Sequence, residues 1–217
     1  SAATSSNAAV NRLCKPESRL TVGGLVPFTT IDFPGRLAAV VFCLGCPWRC
    51  TYCHNPHLLP RGAGALAWPA VLEWLATRRG LLEGVVFSGG EPLLQRGLPE
   101  ALAAVRALGF ATALHTAGAY PKRLSAVLPL LDWVGFDVKA PFGEYVPIVG
   151  CDDGSSARDA LEILLASGVA HDIRCTVAPE LDATALDRLR EELTAIGGVG
   201  LTLQTYRPPD TFPAVSS

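Results

Sequence analysis

The stretch Leu37-Ala-Ala-Val-Val-Phe-Cys43-Leu-Gly-Cys46-Pro-Trp-Arg-Cys50-Thr-Tyr-Cys53-His-Asn-Pro56 joins an apolar run directly to a cluster of cysteines. The run from Leu37 to Cys43 is continuous and contains β-branched residues, which is typical of a strand buried on both faces. The loop after it places Cys46, Cys50 and Cys53 at the spacing C-x3-C-x2-C. The pattern therefore predicts a buried strand whose carboxyl end carries a metal-binding loop.

Three thiolates at this spacing favour an iron–sulfur cluster, because iron–sulfur clusters are held by cysteine sulfur. Three ligands leave one iron of a four-iron cluster without a protein ligand. An open coordination position is what separates a reactive metal site from a structural one. The spacing therefore predicts a cluster that reacts with a substrate or a cofactor.

Two other uses of the cysteines remain open. Cys43 with Cys46 and Cys50 with Cys53 are two C-x2-C pairs, as in a zinc site, but zinc sites usually separate the pairs by about 15–20 residues. A disulfide framework is less favoured, because the seven cysteines are an odd number and most are clustered. The cysteines outside the C-x3-C-x2-C motif are predicted to be structural thiols, since buried free cysteine is common; they are Cys14, Cys43, Cys151 and Cys175.

The composition indicates a globular protein with a sizeable core. Of the 217 residues, 49% are hydrophobic and 18% are charged, and the net charge is −2. We expect no nucleic-acid partner, since no broad basic surface is available, and no membrane partner, since the apolar run at residues 37–44 is too short to span a bilayer. Residues 1–18 are predicted to be a flexible tail and residues 19–217 a single domain. Free thiols favour a cytoplasmic location.

From residue 37 onward, strand patterns alternate with helix patterns. The predicted strands are residues 37–43, 84–88, 110–115, 133–138, 173–177 and 201–206, and a short strand at 19–26 precedes them. The predicted helices are residues 69–79, 99–108, 121–128, 156–167 and one that follows Asp182. Alternating strands and helices predict a parallel α/β sheet with right-handed crossovers. Six units fit either an open doubly wound sheet or a partial (β/α)6 TIM-like barrel.

The unusual residues of the sequence follow the predicted strands, where parallel α/β folds place their reactive groups. They are the cysteine loop, Gly89-Gly90-Glu91-Pro92, His115-Thr116-Ala117-Gly118, Asp137 with Lys139, and Arg174. Asp137 and Lys139 alternate with apolar residues and so share one face of their strand. A charged pair on a buried strand is costly unless it faces a site or is mutually paired, and we favour the site.

The cysteine loop, together with Ser88-Gly89-Gly90-Glu91-Pro92, resembles the radical S-adenosylmethionine (SAM) enzymes. The His54-Asn55 pair after Cys53 makes it similar to the activating enzymes of glycyl-radical proteins. The pattern over residues 22–208 is most similar to the longer form of the anaerobic ribonucleoside-triphosphate reductase activating protein. That similarity includes Ile31-Asp-Phe-Pro-Gly35 and Leu203-Gln-Thr-Tyr-Arg-Pro208.

The resemblance implies a partial (β/α)6 barrel and an oxidoreductase with a [4Fe–4S] cluster on Cys46, Cys50 and Cys53. SAM would bind the open iron, and its reductive cleavage would yield methionine and a 5′-deoxyadenosyl radical. The radical would remove a hydrogen atom from a glycine Cα of a partner, such as anaerobic ribonucleoside-triphosphate reductase. A low-potential donor such as flavodoxin or ferredoxin would supply the electron.

The resemblance also implies contacts with SAM. Tyr52 would lie against the adenine, Glu91 or a nearby carbonyl would receive the ammonium group, and Lys139 would lie near the carboxylate. The full implied cofactor-binding set is Tyr52, Gly89, Gly90, Glu91, His115, Thr116, Asp137, Lys139 and Arg174. Structural alternatives stay open, since Glu91 could sit at a helix start, Tyr52 could be a packed aromatic and Arg174 could form a surface salt bridge. Gln204 and Arg207 are weaker candidates for contact with cofactor or partner.

One position departs from the related enzymes. They usually carry Asp-Thr-Asn-Gly where this chain has His115-Thr116-Ala117-Gly118, and in pyruvate formate-lyase activators the aspartate helps to hold a monovalent cation beside SAM. A neutral imidazole is a poor ligand for a hard cation, which prefers oxygen. The departure puts the cation site in doubt, or gives His115 another part.

Three other functions remain open. A radical SAM enzyme acting on a small molecule, like 7-carboxy-7-deazaguanine synthase, would use the same motifs on a different substrate. A non-catalytic iron–sulfur electron carrier would keep the cluster and cleave no SAM. A structural zinc protein would use the cysteines alone.

Overall fold

A seven-stranded sheet organises the computed structural model, which describes residues 20–151 and 154–206. Its strands are β1 (Val22–Thr29), β2 (Ala38–Cys43), β3 (Gly84–Gly89), β4 (Ala111–Thr116), β5 (Trp133–Asp137), β6 (Ala170–Val177) and β7 (Thr202–Thr205). β1 pairs antiparallel with β2, and every later pair is parallel. The prediction of six parallel strands is confirmed, and the antiparallel β1 extends the sheet at one edge.

Helices connect the parallel strands. They are α1 (Trp68–Ala76), α2 (Leu98–Ala107), α3 (Pro121–Val127), α4 (Tyr145–Val149), α5 (Ser155–Ser167) and α6 (Ala183–Ala195), with 3-10 turns at Pro56–Leu58, Pro92–Leu94, Leu128–Leu130 and Phe142–Glu144. The strands stand in the sheet in chain order. A doubly wound sheet reverses its strand order at one point, whereas a barrel does not. The observed order therefore agrees with the predicted partial TIM-like barrel.

Two apolar clusters cover the two faces of the sheet. Ala39, Val41 and Cys43 on β2 join the larger cluster, which includes the buried residues of the helices. The alternate residues Ala38 and Val40 join a smaller cluster that contains no helical residue. Phe33 and Trp133 stack in that smaller cluster, with ring centroids 6.1 Å apart. The helices thus cover one face, and aromatic side chains fill the inner face of the partial barrel.

Local signals explain several helix ends. Asp182 caps α6 as predicted, because its side chain accepts a hydrogen bond of 2.7 Å from the Ala185 backbone N–H. Gly168 ends α5 with a φ of 73°. The prediction that Ser156 opens α5 is wrong, because the helix begins at Ser155 and its cap is Gly154 in the left-handed region.

Two further sequence predictions concern the ends and the setting of the chain. The predicted tail, residues 1–18, lies outside the described residues, as does Arg207. Among the helices that the structure describes, we find none with the length and apolar character needed to cross a bilayer.

A close backbone contact joins the end of β3 to the cysteine loop. The Gly90 N–H donates to the Cys43 carbonyl and the Glu91 N–H to the Gly45 carbonyl, both at 2.9 Å. A Cβ at Gly90 would lie 2.3 Å from the Gly45 oxygen, and one at Gly89 would lie 2.4 Å from the Cys43 oxygen. Glycine is therefore needed at both positions so that the two loops can touch.

The Gly90→Ala substitution tests this contact. We expect it to lower the free energy of unfolding by about 2–3 kcal/mol, because the added methyl forces two backbone segments apart. Urea denaturation of the metal-free chain measures the change. Gly62→Ala is the matched control, since nothing lies within 4 Å of its added Cβ. Equal stability of the two variants would contradict the contact.

Candidate active site

A cavity opens at the carboxyl ends of the parallel strands and encloses about 860 Å³ together with its open mouth. Every predicted site residue lines it except Arg174. The lining residues are Cys46, Trp48, Cys50, Tyr52, Cys53, His54, Asn55, Leu59, Ser88, Gly89, Gly90, Glu91, His115, Thr116, Ala117, Asp137, Lys139, Thr176 and Gln204. The fold therefore brings motifs from six strand ends to one place.

The cysteine loop is held by backbone hydrogen bonds on both sides. The Arg49 and Thr51 N–H groups donate to the Val149 and Ile148 carbonyls of α4, at 2.9 and 3.0 Å. The Arg49 guanidinium donates to the carbonyls of Cys46 and Trp48, at 2.9 and 2.8 Å. These bonds fix the loop independently of the thiols, so the three sulfur atoms remain available to a metal.

The three cysteines of the motif are free, half-buried thiols on the cavity wall. Burial raises the pKa of Cys46 to about 12 and also raises the pKa of Cys50, which Lys139 partly opposes. A metal binds the thiolate, so metal binding here must displace protons. We therefore expect loading of the site to release protons and to favour higher pH.

Cys43 does not share this environment. It is completely buried in the larger apolar cluster, where burial raises its pKa. Among residues 20–151 and 154–206, no three His, Cys, Asp or Glu side chains are close enough to hold a single metal ion. This finding gives no support to the four-cysteine zinc site.

The predictions for the remaining cysteines have mixed outcomes. Cys43 and Cys175 are buried, as expected of structural thiols. The prediction is wrong in this respect for Cys151, which is exposed, because it follows α4 in a surface turn where its sulfur lies 3.4 Å from the Pro47 carbonyl. Cys14 lies outside the described residues.

Glu91 links the ends of β3 and β4 and is only 2% exposed. One carboxylate oxygen accepts hydrogen bonds from the Leu93 N–H at 3.0 Å and the Thr116 hydroxyl at 2.8 Å, and the other accepts from the Ala117 N–H at 3.0 Å. Burial raises the pKa of Glu91, and these hydrogen bonds oppose the shift. The contacts match the alternative interpretation of Glu91 as a residue that closes a turn. A contact with SAM stays a prediction.

Tyr52 and Lys139 are neighbours in the lining of the cavity. The Tyr52 side chain is 4% exposed, and its hydroxyl finds no hydrogen-bond partner in the described part of the chain. The Lys139 ammonium lies 5.6 Å from the centre of the Tyr52 ring. Lys139 forms no ion pair with any described carboxylate. Burial lowers its pKa, but the nearby Tyr52 and Asp137 outweigh burial and raise it. An aromatic ring and a cation are thus both available to a bound molecule.

Asp137 and Arg174 form an ion pair on neighbouring strands. The Arg174 Nε lies 3.0 Å from an Asp137 oxygen, and the two side chains are 14% and 28% exposed respectively. The alternative of a salt bridge for Arg174 is therefore confirmed, but the pair is half-buried rather than on the surface. Asp137 also lines the cavity, and its ion-pair partner is Arg174 rather than Lys139.

His115 joins the cavity to the turn before β2. Its Nε2 lies 2.9 Å from the Asp32 carbonyl, and a carbonyl only accepts, so Nε2 carries the hydrogen. Burial and the Arg174 charge lower the pKa of His115, which keeps the ring neutral. Asp32 therefore contacts His115 through its backbone carbonyl rather than its side chain. No residue pattern in the sequence indicates this contact.

Besides the weak candidate Gln204, seven residues of the cavity lining were not among the predicted site residues: Trp48, His54, Asn55, Leu59, Ser88, Ala117 and Thr176. Ser88 is the last residue before Gly89 at the end of β3, and Thr176 follows Arg174 by two residues on β6. Strand alternation places Thr176 on the same face as Arg174, so that pattern was a usable signal. The weak candidate Gln204 does line the cavity.

Comparison with known proteins identifies the class. Residues 40–191 match the model of the Radical SAM superfamily, so the chain belongs to that superfamily. Its cofactors are a [4Fe–4S] cluster and SAM, which confirms the predicted cofactors. The three free thiols of the cavity lining fit the cluster. The Tyr52 hydroxyl, which has no partner among the described residues, and the Lys139 ammonium fit SAM.

Several individual proteins are similar to the chain. A Methanocaldococcus jannaschii protein, provisionally named a glycyl-radical enzyme activating enzyme, is 28% identical over 74% of the chain and 69% of its own length. A pyruvate formate-lyase-activating enzyme from Clostridium pasteurianum is 36% identical over 50% of the chain and 48% of its own length. A 7-carboxy-7-deazaguanine synthase from Pyrobaculum aerophilum is 36% identical over 51% of the chain and 53% of its own length. The chain thus spans about half of the last two relatives.

Solved structures support the fold. The structure of anSMEcpe with bound AdoMet has a TM-score of 0.63 at 21% identity, covering 76% of this chain and 49% of that one. QueE from Escherichia coli has a TM-score of 0.51 at 18% identity, covering 86% and 94%. At these identities the likeness shows the fold alone.

The iron content of Cys50→Ala tests the ligand set. Anaerobic reconstitution of the unaltered chain should load about four irons per chain, and the variant should lose most of that iron and its brown colour because one of three ligands is gone. Iron analysis and the visible spectrum measure the loss.

Cys175→Ala is the matched control and should load like the unaltered chain, since Cys175 is buried and does not line the cavity. Full iron loading of Cys50→Ala would contradict the assignment.

Proposed function

We propose that this chain is a radical SAM enzyme that installs a glycyl radical on a partner enzyme, with anaerobic ribonucleoside-triphosphate reductase as the first candidate. The carrying observation is the cavity, which is lined by three free thiols together with Tyr52 and Lys139. Among the described residues, the Tyr52 hydroxyl has no hydrogen-bond partner and Lys139 has no ion-pair partner that would compete with SAM. The names of the methanogen relative and of the pyruvate formate-lyase-activating enzyme support the glycyl-radical class.

The cluster would be held by Cys46, Cys50 and Cys53, on the loop whose Cys46 and Trp48 carbonyls accept hydrogen bonds from the exposed Arg49 guanidinium. When bound, the cluster and SAM supply a 5′-deoxyadenosyl radical by reductive cleavage of the sulfonium. The electron would come from a low-potential donor such as flavodoxin or ferredoxin in a reducing cytoplasm. The radical would remove a hydrogen atom from the partner's glycine Cα.

The protein's own part is to bind, orient and exclude water. The Tyr52 ring would lie against the adenine, and the Lys139 ammonium would pair with the SAM carboxylate. Gly89 and Gly90 would present backbone carbonyls to the SAM ammonium, while Glu91 keeps the ends of β3 and β4 together. These positions would hold SAM in one orientation, which a radical reaction needs in order to avoid side reactions.

The open edge of the sheet supports a protein substrate. All four residues of β7 are exposed, and no described strand pairs with its outer side. Gln204 of β7 lines the cavity, so the edge and the cavity are continuous. A glycine-bearing loop of a partner could reach the cavity from this side.

A second candidate is a 7-carboxy-7-deazaguanine synthase-like enzyme. The Pyrobaculum relative of that name matches at the same identity as the pyruvate formate-lyase-activating enzyme. That function would place a small molecule where the activase places a protein loop.

The experiment is an activation assay with the reconstituted holoenzyme, SAM, a reduced flavodoxin and a purified anaerobic ribonucleoside-triphosphate reductase. We expect 5′-deoxyadenosine together with a doublet radical signal in the electron paramagnetic resonance (EPR) spectrum of the reductase. A reductase whose radical glycine is replaced by alanine is the matched control and should give no doublet.

Deoxyadenosine formation that depends on a deazaguanine precursor, with no radical on any glycyl-radical enzyme, would favour the second candidate. The absence of SAM cleavage with any reductant would overturn both.

A further inference from the structure

A fixed pair of opposite charges lies beside the cavity, and one member of it, Asp137, lines the cavity. Asp137 and Arg174 are register partners on β5 and β6, and their side chains meet at 3.0 Å. Burial alone would raise the pKa of Asp137, but the charges of Arg174 and Lys139, together with His115, outweigh burial and hold the pKa below its ordinary value. The carboxylate is therefore ionised, and its charge is balanced by the protein.

The absence of a side chain at Gly135 leaves space for the Arg174 guanidinium. A Cβ at Gly135 would lie 2.7 Å from the Arg174 Nη2 and 2.7 Å from the Trp133 ring. The Arg174 Cζ also lies 5.9 Å from the centre of that ring. Arg174 thus occupies the space above Gly135, between the Asp137 carboxylate and an aromatic face.

The position next to this pair is unsuited to a metal cation. His115 stands on β4 where the related enzymes carry the aspartate, and its Nε2–H is already given to the Asp32 carbonyl. The neutral ring offers one nitrogen acceptor and no oxygen, whereas hard cations prefer oxygen. A second positive charge would also be repelled by the nearby guanidinium. Of the oxygens near this position, the Thr116 hydroxyl is engaged by Glu91 and by the Gly118 N–H, and one Asp137 oxygen is engaged by Arg174. The residues present therefore do not fit the monovalent cation that pyruvate formate-lyase activators hold.

We propose that Arg174 is a positioning residue whose guanidinium provides the positive charge that a monovalent metal cation would otherwise bring to this site. SAM binding then needs no such cation. The proposal rests on the SAM site of the proposed function. Arg174 acts through Asp137, which lines the cavity, while Arg174 itself does not. The Arg174 charge keeps Asp137 from pulling Lys139 away from the SAM carboxylate.

The test is SAM binding to the reconstituted, unreduced holoenzyme, measured by equilibrium dialysis with labelled SAM. Potassium chloride, sodium chloride and N-methylglucamine chloride are compared at equal ionic strength. We expect the three dissociation constants to agree within about twofold, because the site draws no ion from solution. A gain of about tenfold in potassium or sodium would overturn the proposal.

Variants at Arg174 separate its charge from its packing. Arg174→Gln should weaken SAM binding about tenfold in N-methylglucamine, and potassium or sodium should recover part of the loss by occupying the freed Asp137. Arg174→Lys should stay close to the unaltered protein in all three salts. Arg158→Gln is the matched control, since Arg158 is exposed and, within the described residues, forms its ion pair with Glu162 on α5.

Unchanged binding by Arg174→Gln in every salt would also overturn the proposal. If that variant fails to fold, the salt series on the unaltered protein and on Arg174→Lys decides. Binding of SAM without glycyl-radical formation would count against the proposed partner and leave this proposal standing. No SAM binding by the unaltered holoenzyme in any salt would overturn both the site and this proposal.

Discussion

The close backbone contact between the ends of β2 and β3 is the constraint on which the site depends. The Gly90 and Glu91 N–H groups donate to carbonyls of the cysteine loop, and a side chain at Gly89 or Gly90 would collide with that backbone. The contact places the thiol loop beside the Gly-Gly-Glu turn before any cofactor binds. The glycines thus serve the protein's own packing first, and any approach to a ligand follows from it.

The charges around the cavity are arranged so that some are used internally and others are left for a ligand. Glu91 is saturated by three hydrogen bonds, and Asp137 is balanced by Arg174. Lys139 and the Tyr52 hydroxyl have no such partner among the described residues. A half-buried cation without an ion-pair partner and a buried hydroxyl without a hydrogen bond are costly unless something binds them. That asymmetry favours a ligand with a carboxylate and an aromatic ring, as SAM has.

The fold was largely predictable because its signals are local. The continuous apolar run of β2 and the alternation after it indicate parallel strands, and strand ends collect at one edge. The sequence also placed eleven of its twelve chosen site residues on the cavity. Contacts through the backbone were not predictable, such as the Asp32 carbonyl at His115. The position of the Arg174 guanidinium was also not predictable, since it depends on the absence of a side chain at Gly135 on another strand.

The central claim is that three cysteines leave one iron open and that SAM binds there. The most direct measurement is electron–nuclear double resonance of the reduced holoenzyme with SAM labelled with ¹⁷O in its carboxylate or ¹⁵N in its amino group. The account predicts hyperfine coupling of each label to the cluster and a changed EPR spectrum when SAM is added. A spectrum unaffected by SAM, with no coupling from either label, would contradict it.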